Sequence, residues 1–446
     1  MKIIKKLIFS ILSLVLIFSS SVFFSGCGNR EEILRLYVPG EYIPNEVLTG
    51  FEEWYKEVTG KNITVKKKEF DSNETMYTMV AVKKQDFDVI CPSDYMVERL
   101  KNEGLLLKLD SNVSQEVKQK VLGEQQEDLS YPNQDFMNLI LDSFDPTFEY
   151  TTPYMWGTMG IMYYYHGDQE DAEAVINADT AKSTWQSLFN IKERKIYMKD
   201  SERDTYTIAL FNYYYDQLFE ASDEFEHFEN EEYQALIKEI FTLGTNFEEK
   251  LENAKTTLQK QKKYVYDYET DEGKDDLLTS KGAQGYYGMF WSCDAGYIMA
   301  DWSGDEVVYN ENFRYIVPTE GSNVWVDSFC IPKYAGNKTA ANLFMQYISD
   351  PDVAFECMDY AGCTSAIYQT TEDYYNYLTD KEENEIFLNT SKAFQAMFLS
   401  LMFPNKDIVV GDFEFKSPLK KCGIMRDLGT KASDELLIMW SILKRY

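Results

Sequence analysis

From residue 33 onward the apolar positions alternate between strand and helix spacing. Ile33 to Val38 reads as a strand with a buried face. Pro44 to Thr59 carries Val47, Leu48, Phe51, Trp54, Tyr55 and Val58 at helical spacing, and Gly60 is placed to end that helix. Ile63 to Phe70 predicts a second strand. Ser72-Asn73-Glu74-Thr75 opens a further helix, with Ser72 or Asn73 as its N-cap. Phe87 to Cys91 is a short apolar strand, and Glu98 to Asn102 a short helix stopped at Gly104. Strands alternating with helices in this way predict an α/β domain with a largely parallel sheet.

A second α/β stretch follows Pro153. Tyr154 to Tyr165 is almost wholly apolar or aromatic, the composition of a buried strand. Residues 206–265 are mainly helical in pattern, and the acidic run from Asp223 to Glu232 reads as a solvated helix face. Gly285 to Phe290, Tyr315 to Pro318 and Val324 to Ile331 predict strands. Ala341 to Ser349 predicts a helix, and the last 90 or so residues are again mostly helical. No linker of biased composition separates the two stretches, as expected if two lobes are interlaced by several crossings.

The first residues have a different pattern. Lys2, Lys5 and Lys6 precede an uncharged apolar run from Leu7 to Phe24, and Phe24-Ser25-Gly26-Cys27 follows. This arrangement resembles a bacterial lipoprotein signal, with Phe24 where Leu is commonest. It implies cleavage before Cys27, lipidation of that cysteine, and a tether over 27–32. An ordinary signal peptide or an uncleaved anchor helix is the alternative. The other six cysteines, at 91, 293, 330, 357, 363 and 422, match neither a zinc site nor a C-x-x-C pair. They are expected mostly free and buried, with Cys357–Cys363 the most local candidate pair.

Charge narrows the function. The 446 residues hold 74 acids against 44 Lys and Arg, a net charge of −30, and loss of 1–26 would remove three lysines and no acid. Nucleic acid is excluded as a partner because phosphate binding needs a basic surface. A cationic small molecule fits better than an anionic one. With only His166 and His227, His-rich metal sites and His-based triads have little support. Gly282, Gly285 and Gly288 lack dinucleotide-fingerprint spacing, and no P-loop or G-x-S-x-G elbow is present. The run from Asp267 resembles a calcium loop only faintly: its Gly is one place late and Leu278 stands where a bidentate Glu belongs. No metal or cofactor is expected.

Four segments combine aromatics with single acids beside strand ends: Glu41-Tyr42-Ile43-Pro44, Pro92-Ser93-Asp94-Tyr95, Trp291-Ser292-Cys293-Asp294 and Trp325-Val326-Asp327-Ser328. In open α/β sheets the ligand crevice lies outside the carboxyl ends of the strands. Aromatic faces stack on methylenes and attract ammonium groups, and a carboxylate supplies the counter-charge. A flexible aliphatic polyamine needs both.

In order along the chain, these segments resemble the spermidine/putrescine-binding proteins of ABC importers. The likeness runs from about Leu34 to about Ser365. Asp71-Ser72-Asn73-Glu74-Thr75-Met76-Tyr77 is similar to the family's S-N-E-T-M-Y helix start, and Phe87 to Tyr95 to its Y-D-L-V-x-P-S-x-Y stretch. Pro153 to Thr158 is similar to P-Y-x-W-G-x and Trp291 to Ala295 to W-S-G-D-A. Val317 to Gly321 followed by Trp325 to Asp327 is similar to P-x-E-G and W-x-D. The resemblance implies a two-lobed periplasmic-binding-protein fold with the ligand between interlaced lobes. The expected lobes are 33–155 plus 312–350, and 156–311 plus 351–446.

By that resemblance Tyr42, Ser93, Tyr95, Trp325 and Asp327 line the ligand from the first lobe, and Asp204, Trp291 and Asp294 from the second. Glu41, Ser201 and Cys363 are secondary candidates. Ser201 stands where the family usually has an acid, Cys363 where an aromatic is common, and Pro39-Gly40 where an aromatic and a hydroxyl often precede Glu41. These departures bear on the substrate, not on the transport role. The expected protein is a monomeric, membrane-anchored binding lipoprotein that captures a polyamine, closes about a hinge and docks on an ABC permease. A binder of another small cationic or polar solute, and an extracellular carboxylate hydrolase, are the alternatives.

Overall fold

The computed structural model describes residues 32–124, 131–164, 184–190, 196–221, 230–269, 287–301, 307–382 and 384–445. The leader and residues 27–31 of the expected tether, Cys27 among them, lie outside these residues, as does the calcium-loop-like run from 270 onward; Glu32, expected in the tether, opens the first strand.

The first twelve strands described, in chain order, are Glu32–Pro39 (β1), Ile63–Phe70 (β2), Val89–Ile90 (β3), Leu106–Leu107 (β4), Thr151–Tyr164 (β5), Ile196–Lys199 (β6), Val265–Glu269 (β7), Tyr287–Trp291 (β8), Ala300–Asp301 (β9), Val308–Tyr309 (β10), Phe313–Ile316 (β11) and Ser322–Pro332 (β12). The main sheet runs β2-β1-β3-β12-β5-β8-β6-β7. β1 pairs in parallel with β2 and β3, and the helix Asn45–Thr59, which buries Val47, Leu48, Phe51 and Tyr55, joins β1 to β2. Gly60 ends that helix at φ 72°, a left-handed conformation that a Cβ would strain. Ser72 caps the next helix by accepting a hydrogen bond from the Thr75 N–H.

The sheet is mixed, where the alternation of elements predicts it largely parallel. β6 pairs in parallel with β7 and β8, but β12 is antiparallel to β3 and β5, and β5 is antiparallel to β8. The chain runs out along β5 and returns beside it along β12, and two such neighbours must be antiparallel. One apolar cluster gathers Leu36, Val89, Phe329 and Phe344 around the β1 end of the sheet. A second gathers Ile161, Met198, Tyr206 and Met289 around the β6 end. The C-terminal helix Gly429–Arg445 packs Leu436, Met439 and Trp440 into the second.

The helix expected over Glu98–Asn102 starts earlier, at Asp94. Ser93 is extended, and the Asp94 carboxylate accepts from the N–H of Tyr95, which satisfies a donor of the first turn. The Pro318-to-Gly321 motif is an anchor. Glu320 is buried and accepts from the Trp185 N–H, while the Trp185 indole donates to the Gly321 carbonyl at 2.9 Å.

Candidate functional site

Between the two clusters the carboxyl ends of β1 and β3, the middle of β12 and the start of the helix Glu202–Tyr213 border a cavity of about 150 Å³. Its lining includes Tyr42, Ser93, Tyr95, Ser201, Asp204, Trp291, Asp294, Trp325, Asp327 and Cys363. Glu41 is exposed and does not line it. At φ 49° the Glu41 backbone turns the following Tyr42 ring inward.

The first wall centres on Asp327. Trp325 and Asp327 are two apart on β12 and so share a face of the strand. The Tyr42 hydroxyl donates to one Asp327 oxygen at 2.7 Å and the Ser93 hydroxyl to the other at 2.6 Å. Both donors are themselves fixed. Tyr154 donates to the Tyr42 carbonyl at 2.7 Å, and the Asn73 amide donates to Ser93 Oγ and accepts from its N–H. Burial, then the Asp327 charge, raises the Tyr42 phenol well above its ordinary range, so it stays a donor. Asp94, also at the cleft, is buried within this wall and accepts from the Val326 N–H at 3.2 Å. Burial pushes its carboxyl well up, and its task is to hold β12.

The second wall contains a cation of its own. Lys199, the last residue of β6, places its ammonium 3.0 Å from an Asp294 oxygen and 4.2 Å from the centre of the Trp291 ring. Both charged side chains are almost wholly buried, and the Trp291 N–H also donates to Asp294 at 3.3 Å. The arrangement expected for a ligand ammonium, a carboxylate beside an indole face, is therefore already occupied by a side chain of the protein. Ser201 caps the following helix by accepting from the Asp204 N–H at 3.3 Å. Asp204 is buried, and that burial raises its carboxyl. Ser201, and then the charges of Lys199 and Arg203, oppose the rise. Asp200 is engaged from behind by the Trp440 indole at 3.0 Å and by Lys444.

The walls meet across a close approach. A Cβ on Gly157 of β5 would lie 2.1 Å from Ser292 Oγ and 3.0 Å from the Trp325 ring, so a larger residue would drive both away. Ser292 accepts from the Thr158 N–H, and the Trp325 indole donates to the Thr158 carbonyl. Beside them Cys293 and Cys363 form a disulfide with Cα atoms 4.4 Å apart. This corrects the Cys357–Cys363 pairing. Cys357 is a free thiol buried on the inner face of the helix Pro351–Ala361, whereas the left-handed Gly362 turns Cys363 toward the cleft. Cys91, Cys330 and Cys422 are free and buried as expected.

Asn73, Glu74, Glu202, Arg203 and Lys199 are absent from the candidates drawn from the sequence. The first two lie inside the quoted S-N-E-T-M-Y start, a signal that was present. Lys199 ends the strand Ile196–Lys199, and its residue type gives no sign that it is buried. Among the described residues, no group of three or more His, Cys, Asp or Glu is arranged to hold a metal.

A two-lobed α/β molecule with an acidic, aromatic-lined cleft at the strand ends defines the class of proteins that capture a small solute between lobes. The family of bacterial extracellular solute-binding proteins matches residues 51–374, and the chain belongs to it. It is similar to the spermidine/putrescine-binding periplasmic protein of Escherichia coli K12, at 25% identity over 74% of this chain and 76% of that one. In structure it is similar to a spermidine/putrescine ABC transporter substrate-binding protein from Streptococcus pneumoniae. There the TM-score is 0.58 and the identity 24%, over 93% of this chain and 99% of that one. It is also similar to a lipoprotein of Treponema pallidum, with a TM-score of 0.59 and 19% identity over 92% and 99%. The protein is a solute-binding protein and not an enzyme, so the hydrolase alternative is set aside.

Proposed function

We propose that the cleft binds a polyamine, spermidine or putrescine, and that the chain presents it to an ABC permease from a lipid anchor on Cys27. One observation carries the reading: Asp327, oriented by the Tyr42 and Ser93 hydroxyls and set beside Trp325, in a cleft lined by eight acids and one arginine. The Tyr42 and Ser93 donors are neutral, and a carboxylate oriented by them attracts an ammonium group. The slot is below the 300–1,000 Å³ usual for drug-sized ligands and suits a slender chain. The names of the relatives above agree. Tyr42, Ser93, Tyr95, Trp325 and Asp327 hold one end of the ligand, and Asp204 and Trp291 border the other. The ligand draws the lobes together, and the closed form docks on the permease.

Lys199 favours a second reading, a smaller amine with one ammonium, because it takes up Asp294 and the Trp291 face. A thermal-shift panel separates the two. A ligand at about 100 times its Kd adds about 2.7 kcal/mol of stability. Spermidine and putrescine are expected to raise the melting temperature where monoamines and neutral sugars or amides do not. A shift with monoamines alone would support the second reading, and a shift with a neutral solute alone would reject both.

A further inference from the structure

The charges of the cleft are unevenly committed. Asp294 is paired with Lys199, Asp200 holds Trp440 and Lys444, and Asp94 is taken up by backbone N–H groups. Glu202 differs from these. It sits in the first turn of the helix Glu202–Tyr213, lines the cleft and is only 8% exposed. Its own backbone N–H is the donor described at its carboxylate, and among the described residues no other side chain or N–H donates to it. Glu74, on the other wall, also lines the cleft, and its carboxylate accepts from the Tyr95 hydroxyl at 3.1 Å.

We propose that Glu202, with Glu74 across from it, forms an ammonium subsite through which a bound polyamine bridges the two lobes. The proposal rests on the polyamine reading and says where the ligand's second charge goes. A carboxylate buried without a partner is costly, and an ammonium with three donors supplies the missing hydrogen bonds and charge. Without a cation, the like charges of Glu202 and Glu74, which line the same cleft, repel each other and oppose closure. With one, each lobe contributes one carboxylate to the same ammonium, so the ligand stabilises the closed form selectively. The electrostatics agree with the geometry. Glu202 is raised to about 7, first by burial, next by the charge of Glu74, then by Asp204 and Asp200. Arg203, its neighbour, directs its guanidinium to the Arg426 carbonyl and the Tyr95 ring instead.

The test is calorimetric titration of wild type, Glu202→Gln, Glu74→Gln and Asp327→Asn with spermidine and putrescine at pH 8, alongside the melting temperature of each free protein. Glu202→Gln is expected to weaken spermidine roughly tenfold to a hundredfold, the scale of a charged hydrogen bond. The free variant should melt no lower than wild type, because an unpaired buried charge has been removed. A residue with a structural role only would lower the melting temperature and leave affinity alone. Glu74→Gln is expected to show the same loss of affinity, and it carries the test if Glu202→Gln does not melt cooperatively. Wild-type affinity in both variants, with Asp327→Asn weakened, overturns this subsite and leaves the polyamine reading standing. Wild type that binds neither amine overturns both.

Discussion

Replacing Lys199 by Met separates the internal cation from the ligand's. The Lys199–Asp294 pair is 3.0 Å apart with side chains 2% and 4% exposed. Met keeps most of the stem over the Trp291 ring and removes the charge. Asp294 is then a buried carboxylate held, among the interactions described, by the Trp291 N–H at 3.3 Å. Breaking one side of a buried ion pair costs about 3–5 kcal/mol. Removing both charges in Lys199→Met/Asp294→Asn should recover most of it, since neutral, well-packed replacements are often neutral or better. The single variant also leaves the Asp294 carboxylate, which lines the cleft, without its ammonium. A spermidine ammonium that reaches Asp294 gains a charged hydrogen bond of about 1.5–3 kcal/mol. Urea unfolding with and without spermidine reads both effects. The free Lys199→Met protein should be less stable by about 3–5 kcal/mol, and spermidine should stabilise it more than it stabilises wild type. A single variant as stable as wild type, or one on which spermidine has no larger effect, would refute the reasoning.

Three further outcomes are expected. Cys293 and Cys363 are 70 residues apart in sequence, so Cys293→Ser/Cys363→Ser should lose about 4 kcal/mol on the chain-entropy account, read by urea unfolding against oxidised wild type. Glu202 and Glu320 are both raised to about 7, chiefly by burial, so the folded protein keeps protons that the unfolded chain releases between the ordinary carboxyl value and 7. Stability should therefore fall as pH rises through that window, by on the order of 3 kcal/mol per group, and Glu202→Gln should flatten the curve between pH 5 and 8. Cys27→Ala should abolish incorporation of radioactive fatty acid; equal labelling of wild type and variant would reject the lipid anchor.

Most elements were legible because their patterns are local. The helix Asn45–Thr59 and the strands β1, β2 and β12 follow from spacing, and Gly60 and Ser72 from the backbone chemistry of helix ends. The direction of β12 was not legible. Whether a strand runs with or against its neighbour depends on the connection, and β12 is joined to β5 by contacts more than 150 residues apart in sequence. In the site, the motifs give the identity of Tyr42, Ser93 and Asp327, but not that two hydroxyls aim at one carboxylate. The Cys293–Cys363 bond and the Lys199–Asp294 pair were out of reach for the same reason. Each joins residues brought together only by folding, and neither residue type nor spacing distinguishes Lys199 from the solvated lysines elsewhere in the chain.

The central claim is that an ammonium group sits on Asp327 between the lobes. Calorimetric titration of the mature protein with spermidine, wild type against Asp327→Asn, tests it most directly. One spermidine should bind per wild-type chain, and the isosteric amide should cost about 2–5 kcal/mol of binding, as for removing one partner of a desolvated charge pair. Equal affinity in the two proteins, or no binding of spermidine or putrescine to wild type, would contradict it.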